Sequence, residues 1–216
     1  MKKFELTTEF ITNMFGKKLF RIKALVEFGN VKAGELGGYV EKEENVSQDG
    51  NAWVSGDARV YGDAEVSGDA RVYGDAEVSG NARVSGNAEV SGNARVSGNA
   101  EVYGNAWVSG NAEVSGDAWV SGNAEVSGDA RVSGNARVSS DADYALVQGF
   151  GTEFRCTTFY RGKNKKIMVN CGCFHGDLEG FRKQVKETRN GKIAKEYLMI
   201  ADLMEYHFTS EDSSNE

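Results

Sequence analysis

Three cysteines and one histidine near the C-terminal end of the chain are the best candidates for metal chemistry. Cys171, Cys173 and His175 stand within five residues, and a paired strand would bring Cys156 beside them. Structural zinc sites use Cys and His but separate their cysteines by two to four residues rather than by one. Alternation along a strand would place Cys171 and Cys173 on one face, and free cysteines are commonly buried. Packing is therefore the favoured interpretation, and we predict neither a metal nor a cofactor.

Basic side chains are concentrated in the same region, where residues 144–208 hold eleven Lys or Arg against seven Asp or Glu. With nearby aromatic rings they could hold a phosphate or a nucleotide through charge-assisted hydrogen bonds and stacking. The alternative is a solvated turn and helix face, which is what a run of charges usually forms. The candidate ligand-binding residues are Phe159, Tyr160, Lys163, Lys165, Lys166, Lys183, Lys186, Arg189, Lys192 and Lys195.

Three aromatic side chains, Tyr103, Trp107 and Trp119, are predicted to point outward from the middle of the chain. Tyr103 and Trp119 should fall on adjacent strands of one face, within diagonal reach of each other. Exposed aromatics on a surface of Ser, Arg and Glu suggest a docking patch, between subunits or with a protein partner. The alternative is that each ring only covers the surface beneath it.

A six-residue repeat, Ala-x-Val-Ser-Gly-Asn/Asp, positions these aromatics. Valine occupies every sixth position from Val54 to Val138, and a short fixed period of this kind is typical of a solenoid. Ala and Val would face inward from a short strand, and the residue between them outward. Gly followed by Asn or Asp supplies the corner, because both tolerate a left-handed backbone. Asp-rich turns can bind calcium, but Asn fills the other corners, so a turn role is favoured.

The outward residue after each Ala predicts how many strands make one turn. Its charge alternates along the chain, as in Arg59, Glu65, Arg71 and Glu77. Two or four strands per turn would stack like charges, whereas three stack Arg59 on Glu77 and Glu77 on Arg95. Stacked strands lie ~4.8 Å apart, and at that distance each pair changes stability by under ~1 kcal/mol. We therefore predict a mainly β fold: a three-sided, single-stranded parallel β-helix with 18 residues per turn and about five turns, over residues 51–143.

The repeat resembles the hexapeptide repeat of left-handed parallel β-helix proteins, over about 90 residues. The resemblance implies a left-handed coil and, for an oligomer, a trimer. Many proteins of this fold are acyltransferases that use a His base, and γ-class carbonic anhydrases bind zinc through three His residues. Residues 52–142 contain no His, Lys or Cys, and both His175 and His207 lie outside them. Catalysis on the β-helix is therefore not expected, and the chain is predicted not to be an enzyme.

Residues 1–50 break the period and are predicted to form a β cap, because an open solenoid end would invite edge pairing. Strands are expected over residues 4–7 and 18–28. Part of this segment resembles the start of YdcK-like hexapeptide-repeat proteins of enterobacteria, which are often labelled transferases; the resemblance implies no activity here. The matching residues are Asn30-Val31-Lys32-Ala33-Gly34, Gly37-Gly38-Tyr39-Val40, Asn45-Val46-Ser47-Gln48 and Gly50-Asn51-Ala52-Trp53-Val54.

Residues 144–208 are predicted to form an α+β module of order ββαα. The expected elements are strands over 154–161 and 166–173, a helix capped by Asp177 that runs to about Thr188, and a helix over 192–208. The second helix should bury the stripe Ile193, Tyr197, Ile200, Ala201 and Met204. The acidic tail, residues 209–216, is predicted to be disordered.

Three stretches of this module resemble a small module of uncharacterised proteins from gut bacteria and their phages. They are Gly149-Phe150-Gly151-Thr152, Cys171-Gly172-Cys173-Phe174 and Lys195-Glu196-Tyr197. The resemblance implies a phage or prophage setting and no particular activity.

Composition restricts the compartment and the partners. The formal net charge of −7 argues against bulk binding of nucleic acid. No apolar run approaches the length of a membrane span, and an odd number of cysteines is typical of a reducing bacterial cytoplasm.

Three function classes follow. The favoured one is a non-catalytic scaffold or binding protein, in a phage or prophage accessory role, that oligomerises and presents the C-terminal module. The second is a counter-defence protein that sequesters a signalling nucleotide or blocks a host defence protein. The third is an acyltransferase-like protein. The partner predicted first is another copy of the chain; a protein or a phosphate-bearing small molecule is possible, and a membrane is not expected.

Overall fold

An antiparallel hairpin opens the chain, because two strand-forming runs flank the turn at Gly16. The computed structural model describes residues 2–152 and 154–209, and it places β1 at Phe4–Thr12 and β2 at Lys18–Ala24. The first strand is longer and the second shorter than the sequence predicts. β2 also pairs antiparallel with β3, Leu36–Val40, and β3 pairs in parallel with the strand at 59–60. β3 therefore joins the hairpin to the β-helix.

Each repeat forms one strand of two residues, and a corner follows it. A short 3₁₀ turn at Glu43–Asn45 precedes the first of these strands. The strands β4 to β18 are Trp53–Val54, Arg59–Val60, Glu65–Val66, Arg71–Val72, Glu77–Val78, Arg83–Val84, Glu89–Val90, Arg95–Val96, Glu101–Val102, Trp107–Val108, Glu113–Val114, Trp119–Val120, Glu125–Val126, Arg131–Val132 and Arg137–Val138.

Strands three repeats apart stack in parallel, so the structure confirms three strands per turn. The outward columns of the three faces are Arg59-Glu77-Arg95-Glu113-Arg131, Glu65-Arg83-Glu101-Trp119-Arg137 and Trp53-Arg71-Glu89-Trp107-Glu125. Opposite charges alternate along the first column, as the sequence predicts. The β-helix has about six turns rather than five, because β3 and a bridge between Val46 and Val66 add two strand positions before β4.

The corners repeat one backbone conformation and one side-chain ladder. Gly86 has a left-handed φ of +69°, and a Cβ added there would lie 3.0 Å from the backbone nitrogen of Gly104 in the next coil. Beside the glycines, Asn81 donates from Nδ2 to Asn99 Oδ1 at 3.0 Å, and Asn99 donates in turn to Asp117 Oδ1 at 2.9 Å. An ionised Asp accepts but cannot donate. Asn therefore continues a ladder, and Asp ends it.

The inside of the β-helix is a continuous column of small apolar side chains. Every Ala and Val at the two inward positions, from Ala52 to Val138, is buried in one core. Their nearly constant volume explains why the coils stack without insertions, since each coil offers the next the same surface.

The C-terminal module follows a 3₁₀ turn at Asp141–Asp143. Four antiparallel strands, in order along the sheet, are β19 Tyr144–Phe150, β20 Arg155–Arg161, β21 Ile167–Cys171 and β22 Phe174–Asp177. The helices are α1, Leu178–Thr188, and α2, Gly191–Thr209.

Both predicted strands and both predicted helices of the module are confirmed, and the structure adds β19 and β22. Asp177 caps α1 by accepting a hydrogen bond from the backbone N–H of Gly180 at 2.9 Å. Ile200, Ala201 and Met204 of α2 pack with Phe159 and Phe181 in a second core. None of the helices in the two described ranges is long and apolar enough to cross a membrane. Residues 210–216 of the predicted tail lie outside the described residues.

Candidate functional site

The last coil ends in backbone groups that have no further coil to bond, and residues after the repeat supply their partners. The backbone N–H of Arg131 donates to the Thr158 hydroxyl at 2.9 Å, and the Asn170 amide donates to the Arg131 carbonyl at 2.8 Å. On another face, the backbone N–H of Glu125 donates to the Asp141 carboxylate at 2.8 Å. A backbone hydrogen bond contributes about 0.5–1.5 kcal/mol net, so these side chains stabilise the end of the β-helix.

Tyr160 closes the same end from the centre. Its side chain comes from β20, yet it is fully buried and belongs to the core of the β-helix. Its hydroxyl lies 3.4 Å from Ser133 Oγ and 3.5 Å from His175 Nδ1. Burial raises the pKa of the Tyr160 phenol, so it stays neutral. We call Asp141, Thr158, Tyr160 and Asn170 together the C-terminal seal.

His175 lies over the last coil but is not arranged for nucleophilic catalysis. Its Nδ1 lies 2.6 Å from Asn170 Oδ1 and 3.3 Å from Ser133 Oγ. In a Ser-His-Asp triad, the serine hydroxyl bonds to one ring nitrogen of the histidine, and the residue that orients the histidine bonds to the other. Here both groups meet at Nδ1. The contact with Ser133 therefore anchors the module to the last coil and does not activate Ser133 as a nucleophile.

The first coil is closed in the same manner. The ammonium of Lys3, which is buried, donates to the carbonyls of Ala52 at 2.9 Å and Gly50 at 3.3 Å. The Asn45 amide donates to the carbonyl of Ala64 at 2.8 Å, and Gln48 Oε1 accepts the backbone N–H of Lys3 at 2.7 Å. Burial lowers the pKa of Lys3 to about 8, against the opposing effect of nearby carboxylates. We call Lys3, Asn45 and Gln48 the N-terminal seal.

The four candidate metal ligands have different surroundings in the module. Cys171 accepts a hydrogen bond from the Thr157 hydroxyl at 3.1 Å and packs against the second core. Cys173 is exposed, and burial raises the pKa of the Cys156 thiol. All three are free thiols. Within residues 2–152 and 154–209, no group of three or more His, Cys, Asp or Glu is arranged to hold a metal ion.

The candidate ligand-binding residues do not converge on one place. Lys163, Lys165 and Lys166 lie in the β20–β21 turn, near the beginning of α1, where Lys166 pairs with Asp177 at 3.4 Å. The second group lies on or after α1 and at the beginning of α2: Lys183, Lys186, Arg189, Lys192 and Lys195. An 11-residue helix is ~16 Å long, so most of the second group is distant from the turn. Phe159 and Tyr160 are fully buried and offer no ring face to a base.

The outward aromatics divide between two faces. The rings of Tyr103 and Trp119 meet edge to face with centroids 6.3 Å apart, as the spacing predicts, and Arg137 lies over Trp119 at 4.1 Å. Trp107 stands on a different face, where its indole N–H donates to Ser91 Oγ at 3.0 Å. The predicted interaction patch is therefore one ring pair and one separate ring.

The middle of the molecule is thus a uniform three-sided β-helix, and polar side chains close both of its ends. Residues 52–148 match the family model described as Bactofilin: Polymer-forming cytoskeletal. The bactofilin match begins just before β4 and ends within β19, so it covers the β-helix and leaves out the hairpin and both helices. It spans less than half of the chain. No curated protein matches the sequence.

Two exposed apolar clusters lie outside the bactofilin match, and the sequence analysis did not single them out. The hairpin carries exposed Phe10, Met14 and Phe15, and α2 carries exposed Met199, Leu203 and Tyr206. The signal for the second cluster is visible in the sequence. The spacing 199, 203, 206 makes a second apolar stripe on a helix whose first stripe is already used for packing.

Proposed function

We propose that the protein is a non-catalytic scaffold whose β-helix associates with other copies of the chain and presents the C-terminal module. The observation that supports this proposal is the uninterrupted β-helix, together with its match to a polymer-forming family over residues 52–148. The outward columns repeat Arg, Glu and Trp at a fixed spacing, which suits a surface that meets copies of itself. The predicted bacterial cytoplasm is compatible with such a role.

The chemistry of the side chains supports the non-catalytic part of the proposal. Residues 52–142 contain no His, Lys or Cys that could act as a base or nucleophile. His175 serves as an anchor, because its Nδ1 contacts Ser133 Oγ of the last coil. An acyltransferase-like activity stays the weakest alternative, and saturable binding of acetyl-CoA would revive it.

Capture of a signalling nucleotide, a block of a host defence protein and a phage accessory role stay predictions from the sequence. The dispersed lysines and the two buried rings give nucleotide capture little support. Excess absorbance at 260 nm in the purified protein would favour it over the scaffold.

The direct test of the scaffold is negative-stain electron microscopy of the full chain at increasing protein concentration. We expect assemblies that lengthen or become more frequent with concentration. A trimer of fixed size would support the oligomer that the hexapeptide resemblance implies instead of an open polymer. Single particles of one chain at every concentration would overturn the proposal.

A further inference from the structure

Helix α2 presents an apolar stripe to solvent, opposite the face that packs on the module. Met199, Leu203 and Tyr206 are 61 %, 58 % and 71 % exposed, while Ile200, Ala201 and Met204 on the other face are buried. Positions 199, 203 and 206 lie on one side of a helix, because they are separated by four and three residues. We call these three residues the helix stripe. Contiguous exposed apolar surface of this kind commonly marks an interaction site.

The charges beside the helix stripe are ordered along α2. Lys192, Lys195 and Glu196 lie in its first two turns, where Lys192 pairs with Glu196 at 3.5 Å, and Asp202 and Glu205 lie in its second half. Asp202 and Glu205 both bind Arg182, at 2.7 and 2.8 Å, yet their side chains remain 71 % and 55 % exposed. The first half of the helix surface therefore carries two lysines against one acid, and the second half two acids against one arginine.

We infer that the helix stripe is a self-association surface, on which α2 of a second copy packs antiparallel across a two-fold axis. An antiparallel copy places the basic end of one helix beside the acidic end of the other, so the surface is complementary to itself. A parallel copy would instead place Lys195 beside Lys195. The stretch that follows α2 in the sequence, Ser-Glu-Asp-Ser-Ser-Asn-Glu, is polar and acidic and does not suit an apolar stripe.

The N-terminal and C-terminal seals are a second reason to expect that copies of the chain associate through side chains rather than through backbone strand edges. In this structure several backbone groups of the first coils and the last coil bond to side chains of Lys3, Asn45, Thr158 and Asn170. These bonds occupy part of the strand edge that a second copy would need for end-to-end pairing. The inference rests on the proposed self-association and names the surface that joins two copies. A single helix stripe is smaller than the ~800 Å² per partner of a stable interface, so this contact should depend on concentration.

The test is sedimentation velocity of the full chain and of single variants over a range of concentrations. Leu203→Lys places a charge in the centre of the stripe and should weaken the contact at least tenfold. Lys195→Glu should weaken it several-fold, since the new acid would face Asp202 and Glu205 of the partner. The matched controls are Met14→Lys, an exposed apolar residue on the hairpin, and Lys183→Glu, an exposed lysine on α1. Both should sediment as the unaltered protein does.

Unchanged association in Leu203→Lys would overturn the helix stripe as the interface and leave the proposed scaffold standing. Loss in Leu203→Lys with no effect of Lys195→Glu would overturn the antiparallel arrangement. A wild-type protein that stays a single chain would overturn both the inference and the scaffold. Thermal melting of each variant separates these results from unfolding, and the exposure of Leu203 and Lys195 makes a large change in stability unexpected.

Discussion

The hydroxyl of Thr158 accepts the backbone N–H of Arg131 at 2.9 Å, a position at which the β-helix would otherwise continue to another coil. Thr158 is buried and belongs to β20, so one side chain of the C-terminal module replaces the acceptor of a missing strand. With Asn170 on the Arg131 carbonyl, it gives both backbone groups of this residue a partner. The end of the solenoid is thereby built into the module that follows it.

Replacing Thr158 by Val keeps the shape of the side chain and removes the acceptor. We expect the free energy of unfolding to fall by about 1 kcal/mol, because the partly buried Arg131 N–H loses its hydrogen bond. Urea denaturation measures this. Thr157→Val is the matched control: Thr157 is also buried on β20, but its hydroxyl bonds to the weak acceptor Cys171 Sγ. An equal loss in both variants would argue against the seal.

The outward columns of the β-helix predict that charge reversal lowers the melting temperature by an amount that depends on the neighbouring charges. Arg95 lies between Glu77 and Glu113, whereas Arg71 lies between Trp53 and Glu89. Arg95→Glu therefore creates two like-charge neighbours, and Arg71→Glu creates one. We expect both substitutions to lower the melting temperature, with Arg95→Glu costing about 1 kcal/mol and Arg71→Glu roughly half of that. The difference should shrink in high salt. A larger effect of Arg71→Glu than of Arg95→Glu would contradict the claim that stacked charges in a column interact.

Much of the fold follows from the sequence because the repeat constrains it many times over. Alternating charges at residues such as Arg59 and Glu77 predict three strands per turn, and the observed pairing confirms it. The hairpin lengths, β19 and β22 are less predictable, since each occurs once and depends on contacts with residues far away in the chain. The seals share that difficulty. Lys3 and Thr158 give no local signal, because their partners lie 49 and 27 residues away.

Candidate site residues are harder to predict for the same reason. Phe159 and Tyr160 appear in the sequence as aromatic neighbours of lysines, but the strand β20 turns one ring into each core. Adjacent residues of a strand point to opposite faces, and here both faces are covered. The sequence shows the alternation, whereas only the tertiary structure shows that the β-helix lies against one side and the helices against the other.

The corner ladders predict that Asn and Asp are not interchangeable within a column. Asn99 accepts from Asn81 and donates to Asp117. Asn99→Asp removes that donor and places two carboxylates in adjacent coils, so we expect a loss of about 1 kcal/mol at neutral pH. The reciprocal change Asp117→Asn keeps the acceptor for Asn99 and should be neutral or stabilising. Differential scanning calorimetry of the two variants decides it, and a stabilising Asn99→Asp would refute the ladder.

The N-terminal seal predicts a specific pH dependence of stability. Burial lowers the pKa of Lys3 to about 8 from an ordinary value of 10.5. Between these values the unfolded chain retains a proton that the folded protein has released, so this group makes folding more favourable as pH rises. We expect Lys3→Met to lack this rise when unfolding is measured from pH 7 to pH 10. Both proteins contain the same cysteines and tyrosines, so the difference between their stability curves removes the effect of those titrations. Parallel curves would show that Lys3 does not titrate in this way.

Sedimentation velocity of the unaltered full chain, over a hundredfold range of concentration, tests the scaffold most directly. The account predicts species heavier than the 23.4 kDa chain, whose share of the protein rises with concentration. Circular dichroism should show that the protein stays folded at every concentration. A single sedimenting species of 23.4 kDa across the whole range would contradict the central claim that the β-helix serves self-association.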